Sequence, residues 1–302
     1  MISLILIILV SFFFTGLTIR TKSICSGRKG PGIFQPMKDI WRLLQKGSVY
    51  SETSSIIFKI APTIYFASVV MAILFIPFGN QKGLLSFNGD FVFFAYILAI
   101  GKFFSIIGAL DTGSSFEGMG ASREALYSLL VEPAFFLLMG SFALLTGYTS
   151  FADIFANLPV NAINSYAVGG LAVLVLALIA MIENSRMPID DPKTHLELTM
   201  VHEVMILDNS GFDLGMILHA TNLKFAMYGA LIANILLSHT TLLYYSIPIF
   251  IGIQFLFAIF VGLAESFSAR FRMNHNAQFI FILTSISLFI FLGVLLMMGK
   301  FI

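Results

Sequence analysis

Residues 125–147 read ALYSLLVEPAFFLLMGSFALLTG, a run with a single carboxylate at Glu132. About 20 predominantly apolar residues suffice to cross a bilayer as a helix, so this stretch is long enough to span. An ionisable group at such depth costs about 2.5 to 3.5 kcal/mol on insertion scales, which makes Glu132 a functional candidate. Pro133 follows it, and the hydrogen bond that a proline removes from a helix leaves room for a polar cavity.

Working outward, comparable apolar runs occur at about 2–19, 60–78, 91–110, 166–182, 223–238, 242–264 and 278–299. The expected fold is therefore an all-α integral membrane protein with about eight transmembrane helices, forming a single membrane domain over residues 1–302. Composition excludes a soluble globule, since 58% of the 302 residues are hydrophobic, 11% are charged and the mean hydropathy is +0.93. The first run is followed, not preceded, by basic residues, so it reads as a retained helix and not a signal peptide. The sixth run is short, and reads as tilted or broken.

A single cysteine, Cys25, cannot supply an iron-sulfur cluster, a cysteine-based zinc site or an intramolecular disulfide. Any redox centre must then belong to a partner. No Walker loop, dinucleotide fingerprint or nucleophile elbow is present, and nothing points to a nucleic-acid partner. No internal repeat of the kind found in many secondary transporters is visible.

The distribution of Lys and Arg sets the orientation. With both termini outside, Arg20, Lys22, Arg28, Lys29, Lys38, Arg42, Lys46, Lys59, Arg123, Arg186, Lys193, Arg270 and Arg272 fall on the cytoplasmic side. Only Lys82 and Lys300 fall outside, which predicts a multi-pass protein of the cytoplasmic (inner) membrane, N-out and C-out.

Two long cytoplasmic loops, about 20–59 and 183–222, form the expected docking face. In the first, Ile33, Phe34, Met37, Ile40, Trp41 and Leu44 share one helical face, opposite Lys38, Asp39, Arg42 and Gln45. This predicts an amphipathic helix along the membrane or under a docked subunit. In the second, Asp190-Asp191-Pro192 reads as a helix start and Asn209-Ser210-Gly211 as its stop.

Lys102, Glu124, Glu132, Glu183, Lys224 and Glu265 lie within or at the mouths of the apolar runs. Lys102 and Lys224 read equally as structural ion-pair partners of these carboxylates. His195, Glu197, His202 and Glu203 match no standard metal-ligand spacing, and proton handling is the better reading for them.

Several stretches, taken in order, resemble one known family. They are Gly30-Pro31-Gly32-Ile33-Phe34-Gln35-Pro36, Leu110-Asp111-Thr112-Gly113-Ser114, Gly120-Ala121-Ser122-Arg123-Glu124-Ala125 and Val131-Glu132-Pro133. Ile182-Glu183-Asn184-Ser185-Arg186-Met187-Pro188-Ile189-Asp190, Leu196-Glu197-Leu198, Asp208-Asn209-Ser210-Gly211 and Ala264-Glu265-Ser266-Phe267-Ser268-Ala269-Arg270 complete the set. They are similar to the membrane subunit of formate hydrogenlyase and related energy-converting [NiFe]-hydrogenases, a family that includes subunit 1 of respiratory complex I. Lys193 and His195 stand where the complex I version carries carboxylates, which favours the hydrogenase branch over a quinone site.

The resemblance implies a membrane anchor and ion-translocating coupling subunit, with no cofactor of its own. Its implied partners are a [NiFe] large subunit, an iron-sulfur small subunit and antiporter-like membrane subunits, embedded in the lipid bilayer. The expected ion pathway is Lys102, Arg123, Glu124, Glu132, Glu183, Asp190, Asp191, Glu197, Glu203, Lys224 and Glu265. The expected docking residues are Gln35, Trp41, Arg42, Asp111, Arg186, His195, His202 and Asp208. The competing expectations are a quinone-site subunit of an NADH-quinone oxidoreductase, a self-sufficient transporter and a structural anchor.

Overall fold

A computed structural model of the chain describes residues 2–158, 163–190, 200–237 and 243–299. The described residues form eleven helices and no strand, only an isolated bridge between Phe78 and Gln81. The helices are α1 (Ile2–Cys25), α2 (Gln35–Leu44), α3 (Ile56–Ile73), α4 (Asp90–Asp111), α5 (Ser115–Thr146), α6 (Phe151–Ala156), α7 (Ile163–Glu183), α8 (His202–Met205), α9 (Gly211–Leu237), α10 (Leu243–Phe267) and α11 (Met273–Met297). Seven of them are long and apolar enough to cross a membrane, and the apolar part of α7, Ala167–Glu183, is a shorter eighth. The chain is a multi-pass membrane protein.

Helix is the form that satisfies every backbone polar group within its own segment, which hydrocarbon requires. One polar end gathers α2, α8 and the turns before α3, α5, α9 and α11. α9 is the centre of the bundle, with nearly every side chain from Asn222 to Asn234 buried, and α1, α3, α7 and α10 pack around it. Phe14 of α1 stacks on Phe225 of α9 at 5.2 Å, and Phe94 of α4 meets Phe151 of α6 edge-on at 5.3 Å. At the opposite end, Asn234 donates to the Pro77 carbonyl at 2.8 Å and accepts from the Gly79 amide at 2.9 Å, pinning the turn after α3. Asp90 accepts from the Phe151 amide at 2.7 Å and so ties the start of α4 to α6.

Two boundaries differ from those read in the sequence. The sixth apolar run is neither short nor broken: α9 begins at Gly211, so the loop expected to reach residue 222 ends at 210. Its first turns carry Asp213, His219 and Asn222, which lower hydropathy without interrupting the helix. Likewise α5 begins at Ser115, ten residues before its apolar run, because residues 115–124 pack against α8 and not against lipid. Of the helix expected from Pro192 to its stop at Asn209, residues 192–199 lie outside the described residues, and over 200–209 only the single turn α8 is helical.

One close approach fixes α8 on α5. A Cβ on Gly120 would lie 2.8 Å from the Val201 carbonyl and 3.1 Å from the Met205 side chain. Gly120→Ala is therefore expected to cost about 1 to 3 kcal/mol through overpacking. A thermal melt of the detergent-solubilised protein checks this; an unchanged midpoint would mean that α8 is not seated on α5.

Candidate functional site

The first half of α5 carries the groups that grip the polar end. Glu117 accepts from the Asp208 amide at 2.9 Å, Arg123 donates to the Met200 carbonyl at 2.9 Å, and Tyr127 accepts from Asn276 of α11 at 3.0 Å. Arg123 and Tyr127, four residues apart, share one side of the helix, and Glu117 lies about a quarter to a third of a turn round from them. Asn276 in turn donates to the Ile189 carbonyl at 3.3 Å, which links α5 and α11 to the segment after α7.

That segment folds into the bundle. α7 ends in a reversal in which the Arg186 amide donates to the Met181 carbonyl at 2.8 Å and the Ser185 amide to the Ile182 carbonyl at 3.0 Å. This is a Schellman stop, with Ser185 at φ +48° where glycine is usual. The serine hydroxyl lies 3.4 Å from Glu124 as a donor, a contact that glycine could not make. The turn draws Arg186 inward to 8% exposure, where it pairs with Glu265 at 3.2 Å and lies over the Phe225 ring. Lys22 of α1 reaches the other oxygen of Glu265 at 3.5 Å. Asp190, 1% exposed, pairs with Arg270 at 2.7 Å and accepts from the amides of Val201 and His202, both at 3.1 Å.

The deepest charges lie below this layer. Lys102 of α4 bridges Glu124 of α5 and Glu183 of α7, both at 2.9 Å. Lys224 of α9, 1% exposed, reaches the same Glu183 oxygen at 2.7 Å and donates to the Glu183 carbonyl at 3.1 Å. Four helices therefore contribute to one linked set of two cations and two carboxylates. Glu132 lies eight residues beyond Glu124 on α5, about 12 Å deeper at the rise of a helix. It lines a chamber of about 40 Å³ together with Lys102, Ser128, Glu183 and Tyr228. It also opens on a lateral groove between α4 and α5, lined by Tyr96, Ile100, Phe103 and Leu129. No described residue makes a hydrogen bond or ion pair with it, and it is exposed in the isolated chain.

Energetics argue that this set is not there for stability alone. Burying ion pairs gains little over apolar packing, because desolvation offsets the Coulomb attraction. What the set provides is a place where a small change in geometry alters the balance of charge around Glu124 and Glu183.

Of the expected docking residues, Trp41 is 61% exposed on α2, and Gln35 and Arg42 both reach Asp39, at 2.8 and 3.6 Å. The expected apolar face of α2 buries only Ile40, whereas Phe34 and Trp41 border an open groove against Leu9, Phe12 and Phe13 of α1. Asp111 accepts from the amides of Ser55 and Phe58, at 2.8 and 3.3 Å, capping α3. Asp208 is exposed beyond its amide bond to Glu117. Asp191, Lys193, His195 and Glu197 lie outside the described residues. Among the described residues, no group of three His, Cys, Asp or Glu side chains converges as a metal site.

Glu117 was not singled out in the sequence, yet it is fully buried and its second oxygen has no partner among the described residues. Ser114-x-x-Glu117 has the spacing of a helix capping box, and its i+7 relation to Glu124 places both on one face. Those two signals together would have found it.

Burial holds the His202 imidazole below the usual histidine range, and the field of Glu124, Lys102, Lys224 and Arg186 acts on it. Its folded value is depressed, so the unfolded chain takes up the proton first as pH falls below about 6.5. The histidine's contribution to stability is complete above that pH and is lost below it. His202→Gln is expected to flatten the acid side of a stability-against-pH curve measured by thermal melts; a curve of unchanged shape would contradict this.

The family model described as NADH dehydrogenase matches residues 1–296. The chain is 30% identical over 194 residues to hydrogenase-4 component C of Escherichia coli, covering 64% of this chain and 61% of that protein. It is 30% identical over 215 residues to formate hydrogenlyase subunit 4 of the same organism, covering 70% and 67%. The NADH-quinone oxidoreductase H subunit of Bordetella pertussis is 24% identical over 183 residues, covering 57% and 51%. The match therefore spans less than two thirds of the first of these relatives. A chain of the membrane-bound sulfane sulfur reductase, an archaeal respiratory membrane complex, superposes with a TM-score of 0.81 over 96% of both chains at 19% identity, a likeness of fold.

Proposed function

The chain belongs to the NADH dehydrogenase family, and from that premise we propose that it is the membrane anchor and ion-translocating coupling subunit of an energy-converting hydrogenase complex. The single observation that carries this reading is the buried set of Lys102, Glu124, Glu183 and Lys224, directly beneath a folded-in segment that leads to the polar end.

In this reading the polar end faces the cytoplasm of the inner membrane, with both chain termini outside. A hydrogenase-like large subunit and an iron-sulfur small subunit dock on the face formed by residues 20–59, which include α2, and 183–210. The [NiFe] centre and the clusters reside in those partners, and antiporter-like membrane subunits flank the bundle. Redox chemistry in the partners shifts the segment after α7, which carries Ser185, Arg186 and Asp190. Their displacement changes the field at Glu124 and Glu183, and the charge change is relayed to Glu132. Asp190, Glu203 and Glu265, with Asp191 and Glu197, form the outer part of the path, and Arg123 and Lys102 set its potential.

Purification of the intact complex in mild detergent, followed by metal and cofactor analysis, tests the assignment. Nickel together with iron is the expected result. Iron with flavin and no nickel would instead favour a quinone-linked role in an NADH-quinone oxidoreductase, for which the open groove between α1 and α2 is the supporting feature.

A further inference from the structure

One side of α2 is closed against α9: a Cβ on Gly215 would lie 3.1 Å from Leu44 and 3.2 Å from Leu43. Phe34, Met37, Lys38, Trp41 and Arg42 fall at i, i+3, i+4, i+7 and i+8 and form another stripe along the helix. This stripe borders a groove of about 700 Å³, within the range of ligand clefts, whose other wall is Leu9, Phe12 and Phe13 of α1. Those three lie midway along a spanning helix, so the groove opens at hydrocarbon level. It is not a plain apolar face. Phe34 is 59% exposed there, and Lys38 and Arg42, read in the sequence as opposite the apolar residues, border the same groove. Lys38 makes no ion pair among the described residues. Arg42 pairs with Asp39 at 3.6 Å, a contact worth little between side chains that are both more than half exposed.

We propose that this groove binds one anionic phospholipid, its acyl chain along the α1 wall and its headgroup phosphate between Lys38 and Arg42. Charge complementarity chooses the occupant. A cation at membrane depth is costly, yet both side chains have stems long enough to carry their charges to the headgroup level. There a phosphate offers oxygens that a guanidinium holds with two parallel hydrogen bonds and an ammonium holds as a point charge. A helix of aromatic and basic residues lying in the interface is an arrangement that binds anionic lipid, and the amphipathic ring of Trp41 suits headgroup depth. A neutral quinone would leave both cations without a counter-charge, and an apolar helix of a partner or a second copy would bury them unpaired. The bound lipid fills the space beside α2 and steadies the docking face. Its binding does not depend on which ion the chain moves, or on whether it moves one.

Trp41 is the single tryptophan of the chain, so its fluorescence reports on the groove directly. The full chain is reconstituted in vesicles of phosphatidylcholine and phosphatidylglycerol, with one or the other lipid brominated on its acyl chain as a quencher. Brominated phosphatidylglycerol is expected to reach half-maximal quenching at a mole fraction about thirtyfold lower than brominated phosphatidylcholine. That ratio is about 2 kcal/mol for two cations, at about 1.4 kcal/mol per factor of ten. Lys38→Gln with Arg42→Gln should abolish the preference while both lipids still quench, and Lys38→Arg with Arg42→Lys should retain it. Both residues are exposed, so folding tolerates these changes. Equal quenching by the two lipids in the parent, or a preference that survives the double glutamine variant, would overturn the inference and leave only unselected boundary lipid. Quenching by neither lipid would also overturn it, because protein would then cover the groove. So would an added quinone that quenches Trp41 and is not displaced by phosphatidylglycerol, which would assign the groove to the quinone.

Discussion

Glu183→Gln is expected to lower the stability of the solubilised chain by about 3 to 5 kcal/mol, the range seen when one partner of a buried ion pair is removed. The effect falls chiefly on Lys224. Lys102 keeps Glu124 at 2.9 Å, but Lys224 has Glu183 as its ion-pair partner and would be left with neutral acceptors only, the amide oxygen of the new side chain and the Glu183 carbonyl at 3.1 Å. An ammonium that is 1% exposed in the middle of the bundle cannot recruit bulk water in exchange. Replacing both members, Glu183→Gln with Lys224→Met, should recover most of the loss, because no uncompensated charge is left behind. Denaturant or thermal unfolding of the three forms in one detergent checks the cycle; a single variant as stable as the parent would mean that the pair is hydrated and not truly buried.

The fold was legible because its cause is simple. Apolar runs of spanning length have one stable solution in lipid, and each of the eight became a helix. What could not be read was where polar residues ride on those helices. Asp213 and Asn222 lower the hydropathy of α9, yet both are buried within the bundle, so its true start was hidden. Residues 115–124 look like loop because they are rich in Gly and Ser, whereas Gly120 is small because α8 lies against it.

The candidate site was legible in its members and not in its connections. Lys102, Glu124, Glu183 and Lys224 stood out one by one as charges near or within apolar runs. That two lysines share one oxygen of Glu183 depends on α7 ending deep in the bundle, which a hydropathy pattern cannot reveal. Arg186 was expected on the docking loop and is drawn inward by the reversal at Ser185, whose left-handed backbone has no sequence marker when the residue is not glycine. Glu117 escaped notice because it precedes the apolar run and its burial comes from a distant segment, at Asp208.

Glu132 carries the second large expected effect. Glutamine has the size and shape of the carboxyl group but cannot release or accept a proton at neutral pH, so Glu132→Gln should leave packing and assembly as they are. The position is exposed to the α4–α5 groove, which makes folding tolerant of the change. Transfer through it should fall about a hundredfold or more, as when a positioned proton-transfer group is lost. Electron transfer in the partner subunits does not pass through this residue and should continue.

The most direct measurement is therefore donor-driven proton movement in vesicles that hold the complex with Glu132→Gln, alongside its electron-transfer rate. The coupling account predicts that protons stop while electrons still flow. Pumping at the parent rate would contradict it and leave the chain as an anchor.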